Sequence, residues 1–191
     1  MKKLYLAVSG IFAVIPGFAI MWKGIATPPG SGYSFLFGGV IEAFGSLALI
    51  LLWMYQVKIK NFKPLTIFKS SIALGVTSFI FIILYIILYN HCIVTHEPND
   101  AMVFFPLWTS GELEKLVAKA GGRWAALERY GYYSVYSAAL SMPSYVLSLT
   151  VGILLFCYQS IFTSLTIAFG LVGLHKGKTI NIEKEPLKEK G

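Results

Sequence analysis

The chain contains four apolar runs, 4–22, 33–55, 70–89 and 143–174, each long enough to cross a hydrocarbon core of about 30 Å. Inside lipid every backbone amide needs a partner within its own segment, so isolated runs of this length are helices. The fourth run is longer than a crossing requires and must tilt strongly or extend past one surface. Only 13% of residues are charged and mean hydropathy is +0.68, whereas soluble domains carry roughly 25% charged residues. The expected fold is an all-α, four-transmembrane-helix bundle with a small helical extracytoplasmic cap between helices 3 and 4. Its parts are helices 1–3 over residues 1–89, with a short basic loop at 56–69, the cap at 90–142, helix 4 at 143–174 and a tail at 175–191.

Four crossings put both termini on one side, and the basic residues say which. Lys2 and Lys3 precede the first helix, Lys58, Lys60, Lys63 and Lys69 crowd the second connection, and Lys176, Lys178, Lys184, Lys188 and Lys190 follow the fourth. Eleven of the sixteen basic residues therefore lie on the terminal side, which makes that side cytoplasmic. Lys2-Lys3, the apolar core behind them and Gly24-Ile25-Ala26 mimic a signal peptide, but the core is longer than a signal peptide's, so a retained helix is expected. The net charge of +7 is then a topology and lipid-facing signal, not one for direct nucleic-acid binding. The tail, mixing lysines with Glu183, Glu185 and Glu189, reads as solvated. With the loop lysines it forms a basic face for anionic phospholipid or a soluble cytosolic partner.

The segment between the third and fourth runs carries Met102 to Trp108, almost wholly apolar, directly before a helix start. Thr109 and Glu112 have capping-box spacing, Leu113, Leu116, Val117 and Ala120 make one apolar face, and Gly121-Gly122 end the helix. A second short helix is predicted over 123–130, stopping at Gly131, and a third from near Ser134 into Pro143. Such a cap is too small to close a core alone, so its apolar faces must rest on bilayer, bundle or a neighbouring copy. Phe104, Phe105, Trp108 and Trp124, with Tyr130, Tyr132, Tyr133 and Tyr136, suit an interfacial or sensing surface. Packing of the cap onto its own bundle suits the same residues equally, and a receptor surface for an external ligand is a third reading.

Inside the crossings Glu42 is the lone acid, on one face with Gly38 and Gly45. A mid-membrane carboxyl costs about 2.5–3.5 kcal/mol, so it should face protein or water. Thr77, Ser78, Tyr158 and Gln159 are its candidate neighbours. Pro16-Gly17 should kink the first helix. In the fourth, Ser148, Gly152, Gln159, Thr163, Thr166, Gly170 and Gly173 form a heptad-like seam, either a tight helix interface or the lining of an oligomeric pore. Either use calls for self-association.

Cys92 and Cys157 are too far apart to pair, and His91, Cys92, His96, Glu97 and Asp100 match no strong zinc spacing. His175 suits the end of the fourth helix. No phosphate loop, nucleophile motif or cofactor site occurs, so no enzyme, metal or cofactor is expected.

The plan of the chain, with its outer segment "FFPLWTSGELEKLVAKAGGRWAALERYG" and tail "HKGKTINIEKEPLKEKG", resembles the transmembrane subunit of the Kiwa anti-phage defence system of bacteria. The resemblance implies a tetrameric inner-membrane protein that detects phage attack at the envelope and works with a cytosolic, DNA-binding partner. It carries over no functional residue. Small four-crossing immunity proteins against secreted toxins share the plan, and an oligomeric ion channel lined by the fourth helix and Glu42 also fits it.

Overall fold

The computed structural model describes residues 2–23, 34–96 and 101–175. Its elements run α1 (Lys2–Lys23), α2 (Ser34–Met54), α3 (Gln56–Asn61), α4 (Pro64–Cys92), β1 (Ile93–His96), β2 (Ala101–Phe104), α5 (Gly111–Ala120), α6 (Arg123–Leu140) and α7 (Ser144–His175). The tail lysines, including Lys176 and Lys178, lie outside the described residues.

The architecture is predominantly helical, and three helices, α1, α4 and α7, are long and apolar enough to cross a membrane. The apolar stretch described in α2, Gly38–Met54, is shorter. Helix α4 starts well before the predicted third run, because Pro64 fits a first helical turn, where a missing N–H costs nothing. The basic loop is therefore mostly helix: α3, a short turn, then the start of α4 with Lys69 on it.

Helix α7 is the centre of the bundle, touching α1, α2, α3 and α4, while α4 packs on α7 and the cap. Side-chain pairs set the directions. Ser9 lies against Thr166 and Tyr158 against Pro16, so α1 and α7 are antiparallel. Ser71 and Ser78 reach Ala168 and Ile161, so α4 and α7 are antiparallel as well. Gly45 meets Ala13 and Gly17 meets Gly38, which reverses α2 against α1. The starts of α1 and α4 and the ends of α2 and α7 thus share one end of the bundle, and the cap sits at the other.

The cap departs from expectation in two ways. It is not purely helical: β1 and β2 form an antiparallel hairpin pairing Ile93 with Phe104 and Val94 with Val103. Ile93, Val94 and Thr95 are β-branched and suit a pleated edge better than a further helical turn. It also closes a core of its own, with Val103, Phe105, Leu113, Leu127, Val135 and Ala139 buried together and Met142 and Val146 leading into α7. Helix α6 packs on the hairpin and α5 packs on α6, so a layered core exists where separate helices would have had none.

Helix α5 begins one residue later than capping-box spacing suggests. Ser110 is its N-cap and its side chain makes no capping hydrogen bond, so the Thr109–Glu112 box is not formed. Gly121 ends the helix in the left-handed region (φ 86°), and the Gly122 N–H donates to Val117 O at 3.1 Å, the Schellman arrangement. Helix α6 is broken at Gly131 (φ 75°, ψ 163°), so the segments on either side of it have separate axes.

Candidate functional site at the joint between cap and helices

Arg123 begins α6, and its guanidinium ties together three segments distant in sequence. Nη1 donates to the carbonyl of His91 at the end of α4. Nη2 donates to Pro106 O at 3.1 Å and Leu107 O at 3.3 Å, and the group lies 5.6 Å from the Phe105 ring centroid. The last carbonyls of α4 carry the negative end of its dipole, so a cation is favoured there. Burial lowers the Arg123 pKa, partly offset by the nearby Cys92 thiol; a guanidinium nonetheless stays charged at physiological pH.

The same joint reaches α7. The Leu107 N–H donates to Thr150 Oγ1 at 3.1 Å, and that hydroxyl donates back to Val146 O at 2.9 Å. The Phe105 N–H donates to Cys92 O at 2.6 Å, extending the hairpin ladder past its last strand residue. Phe104 packs with Cys92, Val151 and Leu154 in a second cluster.

Phe104 and Phe105 are consequently core residues, Phe105 being 0% exposed, which corrects their assignment to an interfacial surface. Of the packing and surface readings, the first holds for these two. Trp108 and Trp124 remain exposed at 54% and 60%, and Tyr133 at 85%, beside the stacked rings of Tyr132 and Tyr136 (5.4 Å, 10°).

Below the joint, seven aromatic rings follow one another through the bundle: Tyr89, Tyr85, Tyr158, Phe162, Phe12, Phe169 and Tyr5. Successive centroids lie 5.0–6.4 Å apart, within the range of aromatic pairing. The ladder passes from α4 through α7 to α1, leading from the cap end towards the opposite end.

The predicted intramembrane residues divide. Gly38, Glu42 and Gly45 do share the α2 face that meets α1. A Cβ at Gly45 would collide with the Ala13 carbonyl, and one at Gly17 would collide with the Glu42 side chain and stand 2.7 Å from Gly38 O. Glycines here let the two backbones touch. Of the four candidate neighbours of Glu42, Thr77 Oγ1 donates to Ala73 O, Ser78 Oγ to Ile161 O, Tyr158 OH to Pro16 O at 3.4 Å, and Gln159 Nε2 to Thr163 Oγ1. Among the described residues no hydrogen bond reaches the Glu42 carboxylate.

The α7 seam is also split. Thr166, Gly170 and Gly173 are buried under α1, with Ser9 Oγ donating to Thr166 O at 2.8 Å and Tyr5 and Leu6 3.2 Å from a Cβ placed on Gly173. That half is a packing interface and lines no pore within the protomer. Ser148 and Gly152 are exposed, with nothing within 4 Å of a Cβ at Gly152. Between the halves, Gln159 Nε2 donates to Thr163 Oγ1 at 2.8 Å, while Gln159 Oε1 is buried without a partner among the described residues.

Cys92 and Cys157 are both free and buried. Among the described residues no three metal-ligating side chains gather; the His96 side chain, Glu97 and Asp100 lie outside them. No known family model, curated protein or solved structure matches this chain. Sequence reasoning missed Arg123, Thr150 and Ser71, and named Ser78 only as a neighbour of Glu42; the seven-residue spacing of the two serines on an apolar helix was the one signal for their contact with α7.

Proposed function

We propose that this chain is a non-enzymatic, multi-pass membrane subunit that couples an event at the outer face of a bacterial inner membrane to a soluble cytosolic effector. In this reading α2 is the fourth crossing, the cap faces outward, and the positive-inside rule puts both termini and the α3 lysines in the cytoplasm. The chain works as a homo-oligomer, a tetramer in the plan it resembles, and the exposed Ser148–Gly152 half of the α7 seam is available for contact between copies. The anti-phage context comes from that same resemblance.

The observation that carries the reading is the Arg123 joint. A cap with its own core is held to the outer ends of α4 and α7 by hydrogen bonds that involve no lipid, so displacement of the cap is borne by helices that reach the other side. The aromatic ladder supplies a packed route between the two ends.

Two measurements test this. Purification in mild detergent through a C-terminal tag should yield a homo-oligomer with a bound cytosolic protein. Cells carrying both should resist phage, and Arg123→Gln should abolish resistance while the protein stays in the membrane. A monomer without a partner, or full resistance with Arg123→Gln, overturns the proposal.

A channel is the second reading, favoured by the buried Gln159 Oε1, which has no partner among the described residues, beside Thr163. It predicts ion flux in proteoliposomes that Gln159→Leu and Glu42→Gln alter, and no flux removes it.

A further inference from the structure

Between α2, α3 and α7 runs an open groove of about 380 Å³. Phe44, Ala48 and Leu51 of α2 form one wall, Ile167 and Thr163 of α7 the other, and Ile59 of α3 closes one end. Only Thr163 and Tyr55 contribute polar side-chain groups. From Phe44 to Tyr55 the groove extends about 16 Å at the helical rise, a length suited to an extended hydrocarbon chain. Its volume holds about a dozen groups of ~30 Å³, the space of a water or methylene.

The closed end is basic. Lys58 and Lys60 flank Ile59 on α3, each about 100° round the helix from it. The Lys58 ammonium stands 5.2 Å from the ring centroid of Tyr55, itself a groove residue. No acidic residue occurs between Glu42 and Glu97 in the sequence, and no ion pair among the described residues engages these lysines. A second copy in the same orientation would bring its own lysines against them. A lipid would bring an apolar chain and a phosphate together.

We propose that this groove holds one acyl chain of an anionic glycerophospholipid whose phosphate is bound by Lys58 and Lys60. Tyr55 lies at the boundary between chain and headgroup, where an aromatic ring suits both environments. Each lysine near an anionic surface contributes enough for the pair to favour an anionic headgroup about thirtyfold. The inference rests on the membrane placement of these helices and is independent of any sensing role.

The test uses the full chain in mild detergent, supplied with phosphatidylglycerol or phosphatidylcholine of identical acyl chains, with bound lipid counted by native mass spectrometry. Wild type should retain phosphatidylglycerol about thirtyfold better. Lys58→Gln with Lys60→Gln should remove the preference, Ala48→Phe should reduce retention of both lipids by filling the groove, and Lys115→Gln with Lys119→Gln in the cap should change nothing. Should Ala48→Phe fail to fold, Leu47→Trp replaces it, with its fluorescence quenched more by brominated phosphatidylglycerol than by brominated phosphatidylcholine. Equal retention of the two lipids by wild type, an unchanged preference in the α3 double variant, or a disulfide between copies at Leu51→Cys that lipid does not suppress would each overturn the proposal.

Discussion

Replacing Arg123 with Met keeps most of the side-chain volume and removes the guanidinium, so it isolates the clamp from the packing around it. Three carbonyls lose their donor. That of His91 is near solvent, where water takes over. Those of Pro106 and Leu107 are partly buried, and each unsatisfied acceptor costs about 1 kcal/mol at the low end appropriate to partial exposure. Loss of the cation over Phe105 adds roughly 0.5–1 kcal/mol. The total, about 3 kcal/mol, corresponds to a hundredfold rise in local opening. Amide hydrogen exchange in detergent reads this directly. The amides of Phe105 and Leu107, bonded to Cys92 O and Thr150 Oγ1, should exchange about a hundredfold faster, while peptides from α5 keep their protection because the cap core is untouched. Arg123→Lys should fall between, since an ammonium lacks the planar fork that spans several carbonyls. Unchanged exchange at 102–108, or an equal increase throughout the cap, would refute the clamp.

Other outcomes follow from the helix contacts. Gly45→Val should destabilise the folded protein by about 1–3 kcal/mol, seen as a lower Tm in detergent, because the Ala13 backbone cannot yield. Gly152→Ala, with open space around it, should be neutral or stabilising by up to ~1 kcal/mol through helix propensity. Ser71→Ala with Ser78→Ala removes both α4–α7 hydrogen bonds and should cost about 1 kcal/mol in the same assay. Neither cysteine should react with a bulky maleimide in the folded protein, and Arg123→Met should expose Cys92 but not Cys157.

What was legible in the sequence is what depends on neighbours along the chain. Gly121 and Gly131 mark helix ends because only glycine readily takes positive φ, and both breaks fall there. Gly38, Glu42 and Gly45 share a face by helical spacing alone, and that face does meet another helix. What was hidden depends on distant segments. Arg123 has no pattern in sequence to betray it; its acceptors lie 16 to 32 residues away. Phe104 and Phe105 looked like surface because the cap seemed too small for a core, and the hairpin that gives it a second layer is only four residues per strand. The partners of Glu42 were misjudged for a similar reason: spacing fixes which face a side chain is on, and says nothing of which hydroxyl is already committed.

The central position of α7 has a consequence for how the protein is made. Helices α1 and α2 can pair as soon as both have left the ribosome, since their glycine contacts need nothing else. Helix α4 has no such early mate: its bundle contacts are with α7, which is synthesised more than fifty residues later. Until then Ser71, Ser78 and Tyr85, which contact α7 in the folded protein, lack those partners. A chain halted before α7 therefore leaves α1 and α2 paired and α4 without its bundle partner.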